Sequence, residues 1–207
     1  MNVGQPYTAV SPTVAGEVLI TLSRTSRPLT GREVAKLAQR GTQPSVQRAL
    51  NHLVAEGLVV AQEAGRAILY TLNRDHVAYP AVEILAGLRS EFVERLRGAI
   101  GEWKIQPGHA SVFGSAARGD GDVDSDIDLF VVRPAKVDEE DPTWRTQLDE
   151  LTDSIKRWTG NRANVSEIGE RDVARLRRER PPVVSGLEQD SIVLAGLPTK
   201  ELLGGQR

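Results

Sequence analysis

The segment SVFGSAARGDGDVDSDIDLFVV, residues 111–132, decides the fold of the second half of this chain. Its first apolar residues predict a strand that ends at Gly114 and Ser115, where a glycine and a serine indicate a tight turn into a helix. Residues 127–132 predict the next strand. Asp126 and Asp128 lie two residues apart there, and the period of two in a strand places both carboxylates on one face.

This arrangement favours the binding of a nucleotide together with Mg²⁺. Carboxylates on one face supply the hard oxygen ligands that divalent cations prefer. Gly114 lets the backbone approach phosphate closely, and Ser115 adds a hydroxyl and an N–H at the expected start of a helix. A calcium loop counted from Asp120 or Asp122 is excluded, because position six is not glycine and position twelve is not glutamate.

The order Gly-Ser, about ten residues and then Asp-x-Asp resembles the signature of the nucleotidyltransferase superfamily related to polymerase beta. GSAARG and SDIDL are similar to its minimal nucleotidyltransferase branch. The resemblance covers residues 108–195 and implies a small mixed sheet flanked by helices. It also implies transfer of a nucleoside monophosphate from an NTP to a hydroxyl or another acceptor, a protein among the possibilities. Several small members of the branch neutralise a partner toxin by modifying it.

Carried over residue by residue, the resemblance assigns roles to five positions. Gly114 and Ser115 are expected to hold the triphosphate, and Arg118 to help neutralise its charge. Asp126 and Asp128 are the expected catalytic residues and the ligands of Mg²⁺.

The chain departs from the family pattern at the third carboxylate, which the family places on a later strand beside the pair. In the run 160–167, GNRANVSE, Asn164 stands at that position. An amide cannot take up a proton, and Glu167, three residues on, is expected on the opposite strand face. Two hypotheses therefore stay open: an active transferase, or a degenerate domain that senses nucleotide or dimerises.

The first half predicts three helices followed by a β-hairpin. Helical periodicity places helices over residues 12–25, with Ser11 as N-cap, and over residues 30–40, with Thr30 as N-cap. Residues 44–56 predict a third helix, and the runs LVVAQEAG and RAILYTL predict a hairpin around Gly65 and Arg66. This order of elements resembles the winged helix-turn-helix family.

A winged helix-turn-helix implies DNA as a partner. The expected contacts come from the polar face of the third helix and from the wing: Ser45, Gln47, Arg48, Asn51, His52 and Arg66. The same face equally fits the solvated side of a surface helix, and winged helices also serve as protein-contact modules. Residues 1–80 carry eight Lys and Arg against five Asp and Glu, so useful DNA affinity requires a homodimer.

Composition narrows the class of protein. Hydrophobic residues make up 40%, charged residues 26%, and the net charge is -2, values typical of a globular domain and not of a disordered chain. No apolar run reaches membrane-spanning length and no signal peptide is visible, so a cytoplasmic protein without membrane contact is expected. The absence of cysteine excludes disulfides and thiolate sites.

The sequence thus predicts an α+β protein with an N-terminal winged helix-turn-helix at residues 1–80, a linking helix at residues 81–106 and a nucleotidyltransferase-like domain at residues 107–207. The leading hypothesis is Mg²⁺-NTP binding and nucleotidyl transfer coupled to DNA binding. The alternative is a transcriptional regulator with a degenerate nucleotide-sensing or dimerising domain, or a toxin-neutralising antitoxin. The tail after Leu197 and Pro198 is expected to be loose.

Overall fold

The computed structural model describes residues 1–204, and the chain divides into two compact units. One unit is Pro6–Arg89. The other combines Met1–Gln5 with the chain from Ser90 onward.

The unit of residues 6–89 contains three helices and a three-stranded antiparallel sheet of order β1-β3-β2. After a short 3-10 helix at Pro6–Ala9, its elements are α1 (Val14–Ser23), β1 (Leu29–Thr30), α2 (Gly31–Leu37), α3 (Gln43–Ala55), β2 (Val59–Ala64) and β3 (Ala67–Leu72). The predicted helices and hairpin are confirmed. Membership of the winged helix-turn-helix family stays a prediction.

Local hydrogen bonds explain where these helices begin. Thr30 and Glu33 form a reciprocal capping box at the start of α2, and its hydrogen bonds lower the pKa of Glu33. The prediction that Ser11 caps the first helix is wrong. Thr13 is the N-cap, since its hydroxyl accepts from the Gly16 N–H, and α1 starts at Val14.

The core of this unit lies between the helices and the sheet. Its fully buried side chains include Val18, Leu29, Val34, Val46 and Leu50. The face of α3 predicted to be apolar is therefore the face that packs inward, which leaves the polar face of α3 to solvent.

Buried Glu17 ties α1 to the turn between α2 and α3. Its carboxylate accepts a hydrogen bond from the Tyr7 hydroxyl and another from the Gln39 N–H, 2.9 Å away. Burial and the hydrogen bond to Glu17 raise the pKa of the Tyr7 hydroxyl. The turn between α2 and α3 is therefore held at Gln39 by the buried Glu17 side chain.

Helix α4 (Tyr79–Gly101) begins in the first unit and ends in the second. The sequence predicts this helix over residues 82–103. Its last turns bury Phe92, Leu96 and Ile100 in the core of the second unit.

The second unit is a mixed four-stranded sheet of order β6-β5-β4-β7 covered by helices. Strands β5 and β6 are parallel, and the other pairs are antiparallel. Its elements are β4 (His109–Phe113), α5 (Gly114–Arg118), β5 (Ile127–Arg133), α6 (Pro142–Thr159), β6 (Ala163–Gly169), α7 (Val173–Glu179), α8 (Pro182–Asp190), β7 (Ile192–Gly196) and α9 (Thr199–Leu202). The predicted α+β class and the mixed sheet are confirmed.

Strand β5 shows how the sheet is buried on both faces. Ile127, Leu129 and Val131 point into one core cluster, which contains Trp144 of α6. Phe130 and Val132 point into a second cluster, which contains residues of α7 and α8. Asp128 shares the parity of this second set, so it lies on the α7 and α8 side of the sheet.

The expectation of a loose tail after Leu197 and Pro198 is wrong for the described residues. Residues 199–202 form α9, and Leu202 and Leu203 are buried against the second core cluster. Apolar burial holds this segment. Residues 205–207 lie outside the described part of the chain. Within residues 1–204, no helix combines the length and the apolarity needed to cross a membrane.

Candidate functional site

The turn after β4 brings Gly114 against Asp128. Antiparallel pairing sets Phe113 opposite Asp128, so the next residue, Gly114, lies beside the aspartate. Gly114 has φ +68°, and a Cβ at this position would lie 2.9 Å from Asp128 Oδ2. Both the backbone conformation and the space therefore require glycine here.

Asp126 lies immediately before β5, which begins at Ile127. The sequence places both aspartates on the strand, and for Asp126 this is wrong by one residue. Asp126 is the last residue of the loop between α5 and β5, and this loop is fixed by hydrogen bonds such as that from Asn161 Nδ2 to the Ser125 carbonyl. Asp126 is exposed and Asp128 is half-buried, while Ile127 between them is fully buried. The buried isoleucine fixes the backbone that carries both carboxylates.

Asn164 lies directly beside Asp128. In the parallel pairing of β5 with β6 the two residues are partners, and Asn164 Nδ2 donates to Asp128 Oδ1 at 3.1 Å. The register of β5 and β6 thus places Asn164 beside Asp128, as the resemblance implied. This neighbour supplies an amide and not a third carboxylate.

Glu167 lies on the other side of the sheet and is engaged there. Its carboxylate accepts from Arg133 Nε at 2.8 Å, from Trp144 Nε1 at 3.0 Å and from Arg145 Nη1 at 3.3 Å. Because its side chain is only 14% exposed and fully paired, Glu167 does not replace the missing carboxylate.

Ser115 and Arg118 lie on α5, directly after Gly114. The Arg118 guanidinium donates to Asp120 and to Asp190, each at 2.9 Å, and these hydrogen bonds raise the pKa of Arg118. The guanidinium has five N–H donors, so a phosphate can bind the remaining ones or replace one of these carboxylates. Asp190 is 72 residues from Arg118 along the chain, and no local pattern indicates that the two side chains pair.

The loop between α5 and β5 is held by its own side chains. The Ser125 hydroxyl donates to Asp122 Oδ1 at 2.8 Å and accepts from the Asp122 N–H at 2.9 Å. The Ser125 hydrogen bond lowers the pKa of Asp122, and the Arg118 hydrogen bond lowers the pKa of Asp120. Both loop aspartates are therefore paired, Asp122 with Ser125 in the loop and Asp120 with Arg118 at the end of α5.

The residues around Asp128 offer ligands that suit a divalent cation. Asp126 and Asp128 supply carboxylate oxygens, and Gly114, which has no side chain, does not cover Asp128 Oδ2. Asn164 can offer its amide oxygen only if the amide turns away from its present bond to Asp128. Among residues 1–204 no cluster of three or more His, Asp or Glu side chains forms a metal site.

Comparison with known families assigns this region. Residues 93–179 match the family model described as nucleotidyltransferase domain. The match covers about two fifths of the chain and contains Gly114, Ser115, Asp126, Asp128 and Asn164. The predicted similarity of the second half to the nucleotidyltransferase superfamily is thus confirmed. No curated protein and no solved structure matches the chain.

The predicted DNA contacts lie outside the nucleotidyltransferase match, on α3 and on the turn between β2 and β3. Arg48, Asn51, His52 and Arg66 are exposed. Gln47 is half-buried, and its amide donates to Asn51 Oδ1 and to the Tyr70 hydroxyl, both at 2.9 Å. Ser45 is engaged with Thr42 at the start of α3. Four of the six residues therefore face solvent, while Ser45 and Gln47 support the helix and its neighbours.

Proposed function

We propose that the second unit binds a Mg²⁺-nucleoside triphosphate and transfers its nucleoside monophosphate to an acceptor. The observation that carries the proposal is the contact of Gly114, with φ +68°, against Asp128. Glycine has no side chain that would cover this carboxylate, which favours the approach of a cation and its phosphate. The nucleotidyltransferase match over residues 93–179 supports the same chemistry.

In this proposal each residue has one role. Asp126 and Asp128 hold the cation, which neutralises phosphate charge when it is bound. Gly114 and Ser115 hold the β- and γ-phosphates with backbone N–H groups and a hydroxyl. Arg118 exchanges one carboxylate partner for a phosphate oxygen.

The transfer itself is an in-line displacement. An oxygen of the acceptor attacks the α-phosphorus, the bond from that phosphorus to the bridging oxygen breaks, and pyrophosphate leaves. The acceptor proton goes to water or to the pyrophosphate, because Asn164 cannot take it.

Calorimetric titration with ATP, GTP, CTP and UTP, with and without Mg²⁺, tests the binding step. We expect Mg²⁺-dependent binding by the natural chain and loss of binding in the Asp126→Asn/Asp128→Asn variant. Asp124→Asn is the control, because it removes one carboxylate charge from the exposed loop that carries Asp126 and leaves Asp126 and Asp128 in place. Binding that persists in the double variant, or that fails equally in Asp124→Asn, contradicts the proposal.

A second candidate function is nucleotide sensing without transfer. The hydrogen bond from Asn164 to Asp128 favours it, since an amide stands where the family pattern has a carboxylate. Incubation with α-³²P-labelled NTP and fractionated cell extract separates the two candidates. Label in an acceptor that the Asp126→Asn/Asp128→Asn variant fails to label supports transfer. Mg²⁺-dependent binding without label in any fraction supports sensing.

We further propose that the first unit binds DNA through α3. Arg48, Asn51 and His52 present cationic and amide donors on one exposed helix face, and Arg66 lies on the hairpin turn. Selection from random duplexes, followed by fluorescence anisotropy, identifies and measures a site. Arg48→Ala is expected to weaken binding and to reduce its salt dependence, while Arg24→Ala, an exposed arginine at the end of α1, leaves both unchanged. Equal effects of the two variants contradict the assignment of α3.

The remaining partners are proposals that follow from the resemblance. A homodimer, a protein acceptor, a toxin partner and a cytoplasmic location stay predictions. The oligomeric state in solution, measured by light scattering, tests the dimer that DNA binding requires.

A further inference from the structure

Asn161, between α6 and β6, makes hydrogen bonds far from its own place in the sequence. Its side chain is buried, at 5% exposure. Nδ2 donates to the Val123 carbonyl at 3.2 Å and to the Ser125 carbonyl at 2.8 Å. Oδ1 accepts from the Met1 amino group at 2.7 Å. One amide thus joins the start of β6 to the loop that precedes β5.

These bonds enclose Asp126 on both sides. The carbonyl before it, on Ser125, is held by Asn161. The N–H after it, on Ile127, donates to the Arg162 carbonyl at 2.8 Å. The Asp126 side chain is exposed, and the backbone held on either side fixes the Cα from which this side chain extends. Two consecutive residues, 161 and 162, therefore fix the position of this aspartate.

The first residues of the chain pack against the same loop. A Cβ on Gly4 would lie 2.0 Å from the Gly119 carbonyl oxygen, and Val3 is buried in the core of this unit. The loop is therefore held at Gly119 as well as at Val123 and Ser125. A loop fixed at several points preserves the geometry of a metal ligand at its end.

An asparagine is well suited to this task. Its amide nitrogen has two hydrogens for two carbonyls, and its oxygen remains free to accept. Alanine would leave the Val123 and Ser125 carbonyls without this partner and the loop without its link to the start of β6.

We propose that Asn161 is a positioning residue of the metal site, which it shapes by fixing the loop that carries Asp126. This inference rests on the proposed Mg²⁺ site at Asp126 and Asp128. Asn161 acts on the cation through Asp126 and does not touch it. Loss of the Asn161 side chain is expected to release the loop and so to weaken metal binding more than a general loss of stability would.

Thr159→Ala provides the matched control. The Thr159 hydroxyl is buried in the same turn, donates to the Ile155 carbonyl at 2.7 Å and accepts from the Asn161 N–H at 3.0 Å. The variant removes two buried hydrogen bonds from this turn and keeps the Asn161 side-chain amide that bonds Val123 and Ser125. It separates destabilisation of the turn from release of the loop.

The test measures Mn²⁺ affinity by electron paramagnetic resonance and amide hydrogen exchange on the full chain, below the unfolding temperature of every variant. Asn161→Ala is expected to weaken Mn²⁺ binding by about tenfold, the equivalent of one well-formed hydrogen bond, and to speed exchange at Ile127. Asn161→Ser, which keeps one donor, is expected to lose less. Thr159→Ala is expected to bind Mn²⁺ as the natural chain does.

Each outcome has a distinct meaning. Equal Mn²⁺ affinity in the natural chain and in both Asn161 variants overturns this inference and leaves the proposed function intact. Equal loss in Asn161→Ala and Thr159→Ala also overturns it, since general destabilisation then explains both. A natural chain that binds neither Mn²⁺ nor any Mg²⁺-nucleotide overturns the proposed function and the inference together.

Discussion

Asn164 donates its side-chain amide to Asp128 at 3.1 Å across the parallel strands β5 and β6. The bond follows directly from the register, which makes the two residues partners. It gives Asp128 a neutral donor on β6 and adds no third carboxylate to Asp126 and Asp128. The aspartate is thereby fixed in orientation without a cation.

Asn164→Asp is expected to make the site more dependent on metal. The substitution removes the hydrogen bond to Asp128 and places two carboxylates side by side, which repel each other unless a cation lies between them. We expect a lower melting temperature without metal and a rise on addition of Mg²⁺ that is larger than in the natural chain. Thermal unfolding with EDTA and with Mg²⁺ measures both. A variant with the metal response of the natural chain would show that residue 164 does not face the cation.

Gly114→Ala is expected to destabilise the second unit and to abolish nucleotide binding. A left-handed backbone costs a non-glycine residue about 1–2 kcal/mol, and the new Cβ would also press on Asp128 Oδ2. Gly98→Ala is the control. Gly98 lies within α4 with open space at its Cβ, so alanine there is expected to stabilise by up to about 1 kcal/mol. Urea unfolding compares the two, and equal stabilities would contradict the strained turn.

His109 is expected to make the second unit sensitive to acid. The ring is fully buried, Nδ1 donates to the Leu197 carbonyl at 2.6 Å and Nε2 accepts from the Ser111 hydroxyl at 2.8 Å. Burial lowers the pKa of His109 below its usual 6.5. The unfolded chain therefore takes up the proton first as pH falls, and stability that is complete above about pH 6.5 declines below it.

The measurement for His109 is the free energy of unfolding between pH 5 and 8. His109→Gln, which keeps a polar side chain without a titrating group, is expected to be less stable at pH 8 and to lose less on acidification than the natural chain. His52→Gln is the control, since His52 lies exposed on α3. A decline that is the same in His109→Gln as in the natural chain would assign the acid sensitivity to other groups.

Nucleotide is expected to change DNA affinity if the chain acts as a sensor. Coupling between two sites is reciprocal, so saturating Mg²⁺-NTP shifts the anisotropy curve and DNA shifts the calorimetric one by the same factor. The Asp126→Asn/Asp128→Asn variant is expected to bind DNA with an affinity that ignores nucleotide. Identical DNA affinity with and without saturating nucleotide in the natural chain would reject sensing.

Sequence patterns predicted most of what depends on neighbours along the chain. The turn at Gly114 and the strands that flank it follow from residue spacing. The resemblance to the nucleotidyltransferases indicated Asn164, and the parallel register of β5 and β6 places it beside Asp128. The hairpin around Gly65 and the Thr30 N-cap of α2 are equally local.

Sequence patterns did not predict the features that depend on residues far apart in the chain. Arg118 pairs with Asp190, and Asn161 bonds the loop at Val123 and Ser125, across 36 or more residues in each case. Strand β1 has two residues and exists only because β3 pairs with it. Residues 199–202 form α9 because Leu202 is buried in the unit, and a short apolar run after Pro198 does not by itself predict this burial.

The proposed function depends on Asp126 and Asp128 together holding the cation of a bound nucleotide. Anomalous diffraction from a crystal of the full chain grown with Mn²⁺ and the tightest-binding NTP locates that cation directly. We expect one Mn²⁺ bonded to carboxylate oxygens of both aspartates, with triphosphate oxygens completing its shell beside Gly114. A nucleotide bound with its Mn²⁺ elsewhere, or without contact to either aspartate, would contradict it.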